Sequence, residues 1–323
     1  MRFVSHTERS RNLWTFASRV VFITWIVVTV TYSILDFGLD WARPDGDPWN
    51  YLAAGERLND GHPLYALSAG DRPVILRPPW WSVPLLAPPP IAVAWRPLAV
   101  LGDLSMYVWG LAGAVALIGS AVYLTRRGAL FLVAIFAQPL TLTALSGNFS
   151  GILLAMLIAL WVFRDRPWVV GGLIAAAAAI KLTPIVLIVW LAGTGRWRAA
   201  AATVACGLVI GAVALVGAGP ESFVDWVRSV PTSRPSPISL ATLTGLPTYV
   251  IPITLTIPVL LAWGRDRLAF GLAVAATALA SPALYFTAVG LLAALPLWRQ
   301  AGRVARAPHA NDGDDRIPDG AVA

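Results

Sequence analysis

Long apolar stretches, each interrupted by a short polar segment, follow one another along most of the chain, from Val20 to Trp298. A membrane-spanning helix needs about 20 consecutive apolar residues, and several of these stretches approach that length. The pattern predicts an all-α, polytopic integral membrane protein. The number of domains therefore cannot be estimated from chain length, as it can for soluble proteins.

Arginine pairs separate the apolar stretches and give the chain an orientation. Arginine and lysine beside a membrane span favour the cytoplasmic side. The anchors that we place on that side are the N-terminal arginines and Arg126-Arg127, Arg164/Arg166, Arg196/Arg198, Arg265/Arg267 and Arg299/Arg303/Arg306. An apolar segment that lies between two such anchors must cross the membrane and return.

Three segments meet this condition and are predicted to cross twice: 128–163, 168–195 and 268–298. Their outer turns are predicted at Ser146-Gly147-Asn148, from Lys181 to Pro184, and at Ser281-Pro282. Single spans are predicted near 20–35, 105–125, 199–218 and 247–263. The total is about ten crossings, with both termini in the cytoplasm.

This arrangement makes residues 1–298 one transmembrane domain with external loops at 36–104, a large first loop, and at 219–246. The tail, 299–323, turns polar and acidic, and it is predicted to be disordered and cytoplasmic. No inverted internal repeat of the kind that marks many transporters is visible.

Composition narrows the function classes. The chain is 57% hydrophobic and 13% charged, against about 25% charged residues in soluble domains. The net charge of +7 comes from arginines that serve as topology signals, so we expect no nucleic-acid partner. Cys206 is the only cysteine and the three histidines are scattered, so we expect no metal site and no cofactor.

The first external loop carries an unusually polar stretch, "GDPWNYLAAGERLNDGHPLY", residues 46–65. Residues 48–59 read as a short amphipathic helix, with Asp47 as its N-cap and Pro48 in its first turn. The helix N-terminus favours an ionised carboxylate. Asp47 is therefore either a cap on a surface loop or a general base at the membrane surface.

Several residues resemble the glycosyltransferase family 87 pattern of polyprenyl-phosphate-mannose-dependent α-mannosyltransferases, members of the GT-C superfamily of membrane enzymes. One is the spacing Asp47-x3-Tyr51-x9-Gly61-x3-Tyr65. The second is the alanine-rich segment 166–200, which contains Lys181-x-x-Pro184. Weaker matches are Ser146-Gly147-Asn148 and the external loop with Trp226 and "ISLATLTGL".

The resemblance implies a GT-C-like fold and transfer of mannose from a polyprenyl-phosphate donor to a hydroxyl of a glycolipid or glycan acceptor. The reaction would invert the anomeric centre on the extracytoplasmic side of the cell membrane, among membrane lipids and without a metal. The roles implied are general base for Asp47, with Asp45 as the backup; donor-phosphate binding for Lys181, Arg77, Arg228 and Arg234; and substrate binding for Trp49, Tyr51, Asn148 and Ser239.

Other interpretations stay open. Lys181 could extend its ammonium to the outer surface or pair with a structural acid, although an ionisable residue in an apolar run is functional by default. The protein could also be a transporter or flippase of lipid-linked glycans. Arg77-Pro78-Pro79, where the family usually has Tyr-Pro-Pro, also leaves open a non-catalytic GT-C-like protein.

Overall fold

The computed structural model describes residues 6–37, 47–65, 87–229, 236–281 and 286–302, and within these ranges it contains helices and turns but no strand. The helices are α1 (His6–Phe37), α2 (Asp47–Asn59), α3 (Pro89–Ala99), α4 (Leu104–Arg126), α5 (Leu130–Ile135), α6 (Ala137–Leu145), α7 (Ser150–Val162), α8 (Pro167–Ile180), α9 (Leu187–Gly193), α10 (Trp197–Ser229), α11 (Leu240–Thr244), α12 (Val250–Leu261), α13 (Asp266–Leu279) and α14 (Phe286–Val289). A 3-10 turn (Thr183–Val186) precedes α9, and a 3-10 helix (Gly290–Gly302) follows α14. The predicted all-α class is confirmed for the described residues.

Three described helices are long and apolar enough to cross a membrane: Trp14–Asp36 within α1, Leu104–Arg126, and Trp197–Arg228 within α10. They contain three of the four predicted single spans. The other apolar helices have 10–17 residues, so about ten complete crossings stays a prediction.

The shorter helices come in pairs joined by sharp turns. Helix α6 ends before Gly147, whose φ of 63° lies in the left-handed region that favours glycine, and α7 begins three residues later. Helix α8 ends at Ile180, and the next residue, Lys181, has an extended backbone. These are two of the predicted turn positions. A leg of 13 or 14 residues rises only about 20 Å, whereas a bilayer core is about 30 Å thick.

The chain direction gives the helix bundle two distinct ends. Helix α7 starts beside the turn at Asn148 and ends before Arg164, and α8 starts after Arg166 and ends before Lys181. The arginine pairs and the Lys181 turn therefore lie at opposite ends of these helices. We call them the arginine end and the site end.

Large buried side chains hold the bundle together near the arginine end. Phe270 packs 4.8 Å from Trp161 and 4.9 Å from Trp190, measured between ring centroids, and Phe270 and Trp190 are fully buried. Helices α8 and α10 are in direct contact at Gly171, where an added Cβ would lie 2.6 Å from the Cβ of Ala202. Tight aromatic and small-residue packing of this kind fixes the helices relative to one another.

Helix α3 lies within the predicted external loop 36–104, where 48–59 is the helix that the sequence predicts. The structure begins a helix at Pro89, because proline in a first helical turn loses no hydrogen bond and has a suitable φ. Helix α10 bends at Gly219 (φ 77°, ψ 156°), just before Pro220. The part beyond the bend returns to α2 and α3, where Trp226 packs against a small buried cluster of Ala54, Leu64, Tyr65 and Ala92.

Candidate functional site

Four aromatic side chains from four separate segments meet at the site end, and we call them the aromatic cluster. Tyr51 of α2 lies 5.7 Å from Trp95 of α3 and 4.6 Å from Phe149, between ring centroids. Trp109 of α4 lies 5.1 Å from Trp95 and 4.4 Å from Phe149. Tilted and edge-to-face contacts at these distances are favourable aromatic geometry. The cluster fixes the first turns of α2 against the membrane helices.

The start of α2 is the first part of the candidate site. The helix begins at Asp47, one residue earlier than predicted, so Asp47 is its first residue rather than the one before it, and Pro48 follows in the first turn, where proline is favoured. The side chain of Asp47 lies outside the described part of the structure. Trp49 and Tyr51 both pack against a buried apolar cluster that contains Trp95 and Phe149. The helix therefore places Asp47 four residues before a side chain that the cluster holds.

The rest of the first-loop motif has a structural explanation. Gly61 adopts φ 72° and ends α2 in a Schellman arrangement, in which the N–H of His62 donates to the carbonyl of Arg57 at 2.8 Å. Tyr65 is buried, its hydroxyl donates to the carbonyl of Ala87 at 2.8 Å, and burial raises the pKa of this phenol far above its usual value. Gly61 and Tyr65 thus position α2 against the start of α3.

The turn between α6 and α7 is the second part. The indole N–H of Trp109 donates to the carbonyl of Gly147 at 2.7 Å. The Asn148 Oδ1 accepts from the Ser150 N–H at 2.9 Å and from the Ser150 hydroxyl at 2.6 Å. Asn148, predicted to bind substrate, therefore also organises the start of α7. The residue after it, Phe149, belongs to the aromatic cluster.

The break between α8 and the 3-10 turn is the third part. Ile180 packs against the same buried apolar cluster as Trp49 and Tyr51, and Lys181 follows it with an extended backbone (φ −148°, ψ 125°). Pro184 cannot donate a backbone hydrogen bond, and it is buried in the 3-10 turn that follows. Lys181 is partly buried at this break. The cluster thus brings the turn that bears Lys181 to the same end as the start of α2.

Buried side-chain atoms without a hydrogen-bond partner concentrate in these three parts. Among the described residues they are Trp49 Nε1, Asn50 Oδ1, Ser146 Oγ, Thr183 Oγ1, Ser33 Oγ and Thr277 Oγ1. The first four belong to the start of α2, the α6–α7 turn and the segment after Lys181. A buried polar atom without a partner costs about 1–3 kcal/mol, so such a group needs a specific reason. Donors and acceptors of this kind are what a hydroxyl-rich ligand would pair with.

The other predicted residues do not join this group within the described part of the chain. The Arg228 side chain is 77% exposed, 3.9 Å from Asp225. Ser239 is fully buried, and its hydroxyl accepts from the Thr242 N–H at 3.2 Å, as the N-cap of α11. Asp45, Arg77 and Arg234 lie outside the described residues.

Sequence reasoning did not find Asn50, Thr183, Trp95, Trp109 or Phe149 as parts of the site. The three aromatic residues lie in apolar stretches, where they look like ordinary membrane-facing side chains. Of these five residues, Asn50 and Thr183 could have been found from the sequence, because each is polar and lies within three residues of Asp47 or Lys181. Among the described residues, no group of three or more His, Cys, Asp or Glu side chains is arranged to hold a metal ion.

Comparison with known proteins identifies the family. The model of glycosyltransferase family 87 matches residues 86–308, well over half of the chain. The chain belongs to glycosyltransferase family 87. The resemblance noted from the residues is therefore confirmed, and the match includes the α6–α7 turn and Lys181. It begins after α2, so the family match does not include Asp47, Trp49 or Tyr51.

A curated relative points in the same direction. The chain is 32% identical over 198 residues to the polyprenol-phosphate-mannose-dependent alpha-(1-2)-phosphatidylinositol pentamannoside mannosyltransferase of Mycobacterium tuberculosis (strain CDC 1551 / Oshkosh). The match covers 54% of this chain and 45% of the relative, so it spans less than half of that protein's length. No solved structure matches the chain.

Proposed function

We propose that this family 87 protein transfers mannose from a polyprenyl-phosphate-mannose donor to a hydroxyl of a glycolipid or glycan acceptor. One observation carries the proposal. The three segments that bear Asp47, Asn148 and Lys181 are far apart in sequence, yet a neighbour of each residue (Trp49, Phe149 and Ile180) packs in one buried apolar cluster that includes Trp95. The relative's dependence on polyprenol-phosphate-mannose supports the donor, and its glycolipid substrate supports the acceptor class.

The chemistry requires a base, and Asp47 is our assignment. A hydroxyl is a weak nucleophile, so a carboxylate that takes its proton accelerates attack on the anomeric carbon. As the new carbon–oxygen bond forms, the bond from the anomeric carbon to the phosphate oxygen breaks, and the polyprenyl phosphate leaves with the electron pair. Attack from the face opposite the phosphate inverts the anomeric centre. Asp45 is the alternative base.

The leaving phosphate gains negative charge during this step, and Lys181 is our assignment for stabilising it. A fixed cation beside the developing charge lowers the barrier more than it lowers the energy of the bound donor. The donor's lipid tail requires a site that lipid can reach. The lengths of α8 and α9, 14 and 7 residues, support this requirement, since each is shorter than a bilayer core is thick. Arg77, Arg228 and Arg234 remain secondary candidates for phosphate binding.

The other polar and aromatic side chains of the site are of the types that bind sugars. Aromatic faces such as those of Trp49 and Tyr51 stack on the apolar faces of a hexose, and hydroxyl and amide groups pair with its hydroxyls. The side chains of Asn50 and Thr183 offer an acceptor and a hydroxyl that have no partner in the protein. Asn148 and Ser239 are kept as proposed substrate-binding residues, although each also has a structural role.

The proposed location of the site is the extracytoplasmic face of the cell membrane. The site end lies opposite the arginine end along α7 and α8, and arginines beside spans favour the cytoplasm. Residues 1–298 are proposed as one transmembrane domain with the first loop, 36–104, and the loop 219–246 outside. Part of that first loop, α2 and α3, packs on the bundle at the site end.

A transfer assay tests this proposal. The purified protein is reconstituted in liposomes with polyprenyl-phosphate-[¹⁴C]mannose and a phosphatidylinositol-mannoside acceptor, and labelled glycolipid is separated from donor. We expect a new labelled glycolipid, loss of most donor use in Lys181→Ala, and partial rescue in Lys181→Arg, because a planar guanidinium does not replace a compact ammonium. Reorientation of the donor across the bilayer without any glycosidic product would instead favour a flippase.

A further inference from the structure

Three turns at the arginine end carry the same short pattern. Each contains Arg-x-Arg with a tryptophan at most two residues away: "RDRPW" between α7 and α8, "RWR" between α9 and α10, and "WGRDR" between α12 and α13. The structure brings these turns together. The N–H of Gly264 donates to the carbonyl of Gly193 at 2.9 Å, and Arg196 contacts Asp266 at 2.7 Å. The turn between α7 and α8 is linked to them through Trp161, whose ring lies 4.8 Å from that of Phe270 in α13 and carries the Arg164 guanidinium over its face. The three patterns thus lie together at the arginine end.

Two of the arginines face inward and hold the turns in place. Arg164 Nη1 donates to the carbonyl of Trp161 at 3.0 Å, and its guanidinium lies 4.8 Å from that ring centroid. Arg196 donates two hydrogen bonds to Asp266, at 2.7 and 3.0 Å, and lies 5.3 Å from the Trp190 ring centroid. These contacts explain Arg164 and Arg196. Arg166 lies 5.6 Å from the ring centroid of Phe163, which is itself exposed.

The remaining arginines face outward beside exposed tryptophans, and we call this set the arginine face. Its members are Arg166, Arg198, Arg265, Arg267, Trp168, Trp197 and Trp263. The three tryptophans are 69%, 61% and 54% exposed. Exposed tryptophan at the end of an apolar helix is typical of the membrane–water interface. The arginine face therefore lies at the depth of lipid headgroups.

Helix geometry adds to the positive potential of this surface. Arg166, Arg196 and Arg265 immediately precede α8, α10 and α13, at the positively charged ends of the three helices. A cation at a helix N-terminus is unfavourable, whereas an anion there is stabilised by the backbone N–H groups and the helix dipole. The three turns hold six arginines but only two aspartates, Asp165 and Asp266. Within these three turns, the aspartates are too few to neutralise the arginines.

We propose that the arginine face binds the headgroups of anionic phospholipids in the leaflet at that end of the bundle. Guanidinium groups pair bidentately with phosphate, and the flanking indoles anchor at the glycerol level of the same lipids. Positive residues clustered beside membrane helices attract anionic lipids in this way. A soluble phosphate compound would satisfy the arginines but would leave the three exposed indoles without a partner.

Native mass spectrometry of the purified protein in detergent tests the proposal, with equal amounts of phosphatidylglycerol and phosphatidylcholine as probes. The test variant is Arg166→Gln with Arg198→Gln. The matched control is Arg126→Gln with Arg127→Gln, which removes two arginines from the end of α4, outside the arginine face. Melting temperatures of all three proteins establish that each is folded.

We expect the parent to retain phosphatidylglycerol preferentially, and the test variant to lose this preference about 25-fold, since each arginine beside an anionic headgroup contributes a factor of about five. The control should change less than twofold. An equal loss in the control would reduce the effect to general charge attraction and overturn the proposal. So would full retention in the test variant, or displacement of the lipid by inorganic phosphate alone.

Discussion

Arg96 of α3 donates a hydrogen bond from Nη1 to the carbonyl of Gly217, at 3.1 Å, two residues before the bend in α10. The same arginine exchanges hydrogen bonds with Asn59, the last residue of α2: Nε donates to Oδ1 at 2.9 Å, and Nδ2 donates to the Arg96 carbonyl at 3.0 Å. One side chain therefore joins α2 and α3 to α10. The proposed base, Asp47, lies at the other end of α2.

Replacing Arg96 with Gln should loosen this junction. Hydrogen bonds from a charged donor contribute about 1.5–3 kcal/mol each, so we expect the free energy of unfolding to fall by about 2 kcal/mol. Turnover should fall further than donor affinity, because α2 carries the proposed base rather than the phosphate site. Arg96→Lys should rescue partly, since an ammonium does not reproduce the guanidinium fork. Unchanged melting and turnover in Arg96→Gln would show that the junction is not important.

Close packing of α2 on α3 is a second requirement for the site. A Cβ added at Gly55 would lie 2.8 Å from the carbonyl oxygen of Trp95, which is backbone and cannot move aside cheaply. We expect Gly55→Ala to destabilise the protein by about 1–3 kcal/mol and to shift Trp95 within the aromatic cluster. Thermal unfolding and tryptophan fluorescence measure the two effects.

Gly119→Ala is the matched control for this substitution. Gly119 lies inside α4 with no atom within 4 Å of an added Cβ, so alanine should stabilise the helix by about 0.5–1 kcal/mol. Equal effects at the two positions would mean that the contact at Gly55 does not constrain α2.

The arginine end gives a pH-dependent prediction. Burial raises the pKa of Asp266, but hydrogen bonds from Arg196 and Trp190 and the arginine charges outweigh it and hold the pKa below its usual value. Because the folded-state pKa is lowered, the stabilisation is present at neutral pH and is lost as the pH falls through the carboxylate range.

Asp266→Asn should therefore melt lower than the parent at pH 7. The expected loss is about 1–2 kcal/mol, less than for a fully buried pair, because a third of the Asp266 side chain is exposed. The gap between the two proteins should narrow as the pH falls below about 4, near the usual pKa of Asp. A gap that is constant with pH would mean that the carboxylate charge is not the cause.

Sidedness is tested by labelling single cysteines in a background that lacks Cys206. Asp60 is exposed just after α2, at the site end, and Arg166 is exposed at the arginine end. An impermeant thiol reagent should label Asp60→Cys in intact cells, and should label Arg166→Cys only after the membrane is opened. The opposite pattern would place the site in the cytoplasm.

Part of this architecture could be predicted from the sequence. The turns at Gly147 and Lys181 were predictable, because a glycine followed by Asn and a lone lysine followed by Pro184 both interrupt apolar runs. Helix α3 was not predicted, because it begins at a run of prolines, which usually interrupt helices, although proline is favourable in a first helical turn. The number of crossings could not be predicted either, because a turn between two short apolar helices has the same sequence pattern as a turn between two complete membrane spans.

The aromatic cluster shows where sequence reasoning ends. Tyr51 and Phe149 lie 4.6 Å apart but nearly a hundred residues apart in the chain. Nothing in the local pattern around Trp109 indicates that its N–H holds the carbonyl of Gly147. Such contacts arise from the packing of whole helices, and only the folded chain shows them. The motif residue Tyr65 likewise lies outside the aromatic cluster, and its hydroxyl instead donates to the carbonyl of Ala87 just before α3.

The turnover of Asp47→Asn in the mannose-transfer assay tests the central claim most directly, with Asp60→Asn as the control for removal of an acid close to α2. Asn caps a helix about as well as Asp, so the fold should survive, but it cannot accept the acceptor's proton. We predict that turnover falls by about 10²–10⁴-fold in Asp47→Asn, with donor binding and melting temperature preserved, and that Asp60→Asn is unaffected. Near-parental turnover in Asp47→Asn would contradict the assignment of Asp47 as the base.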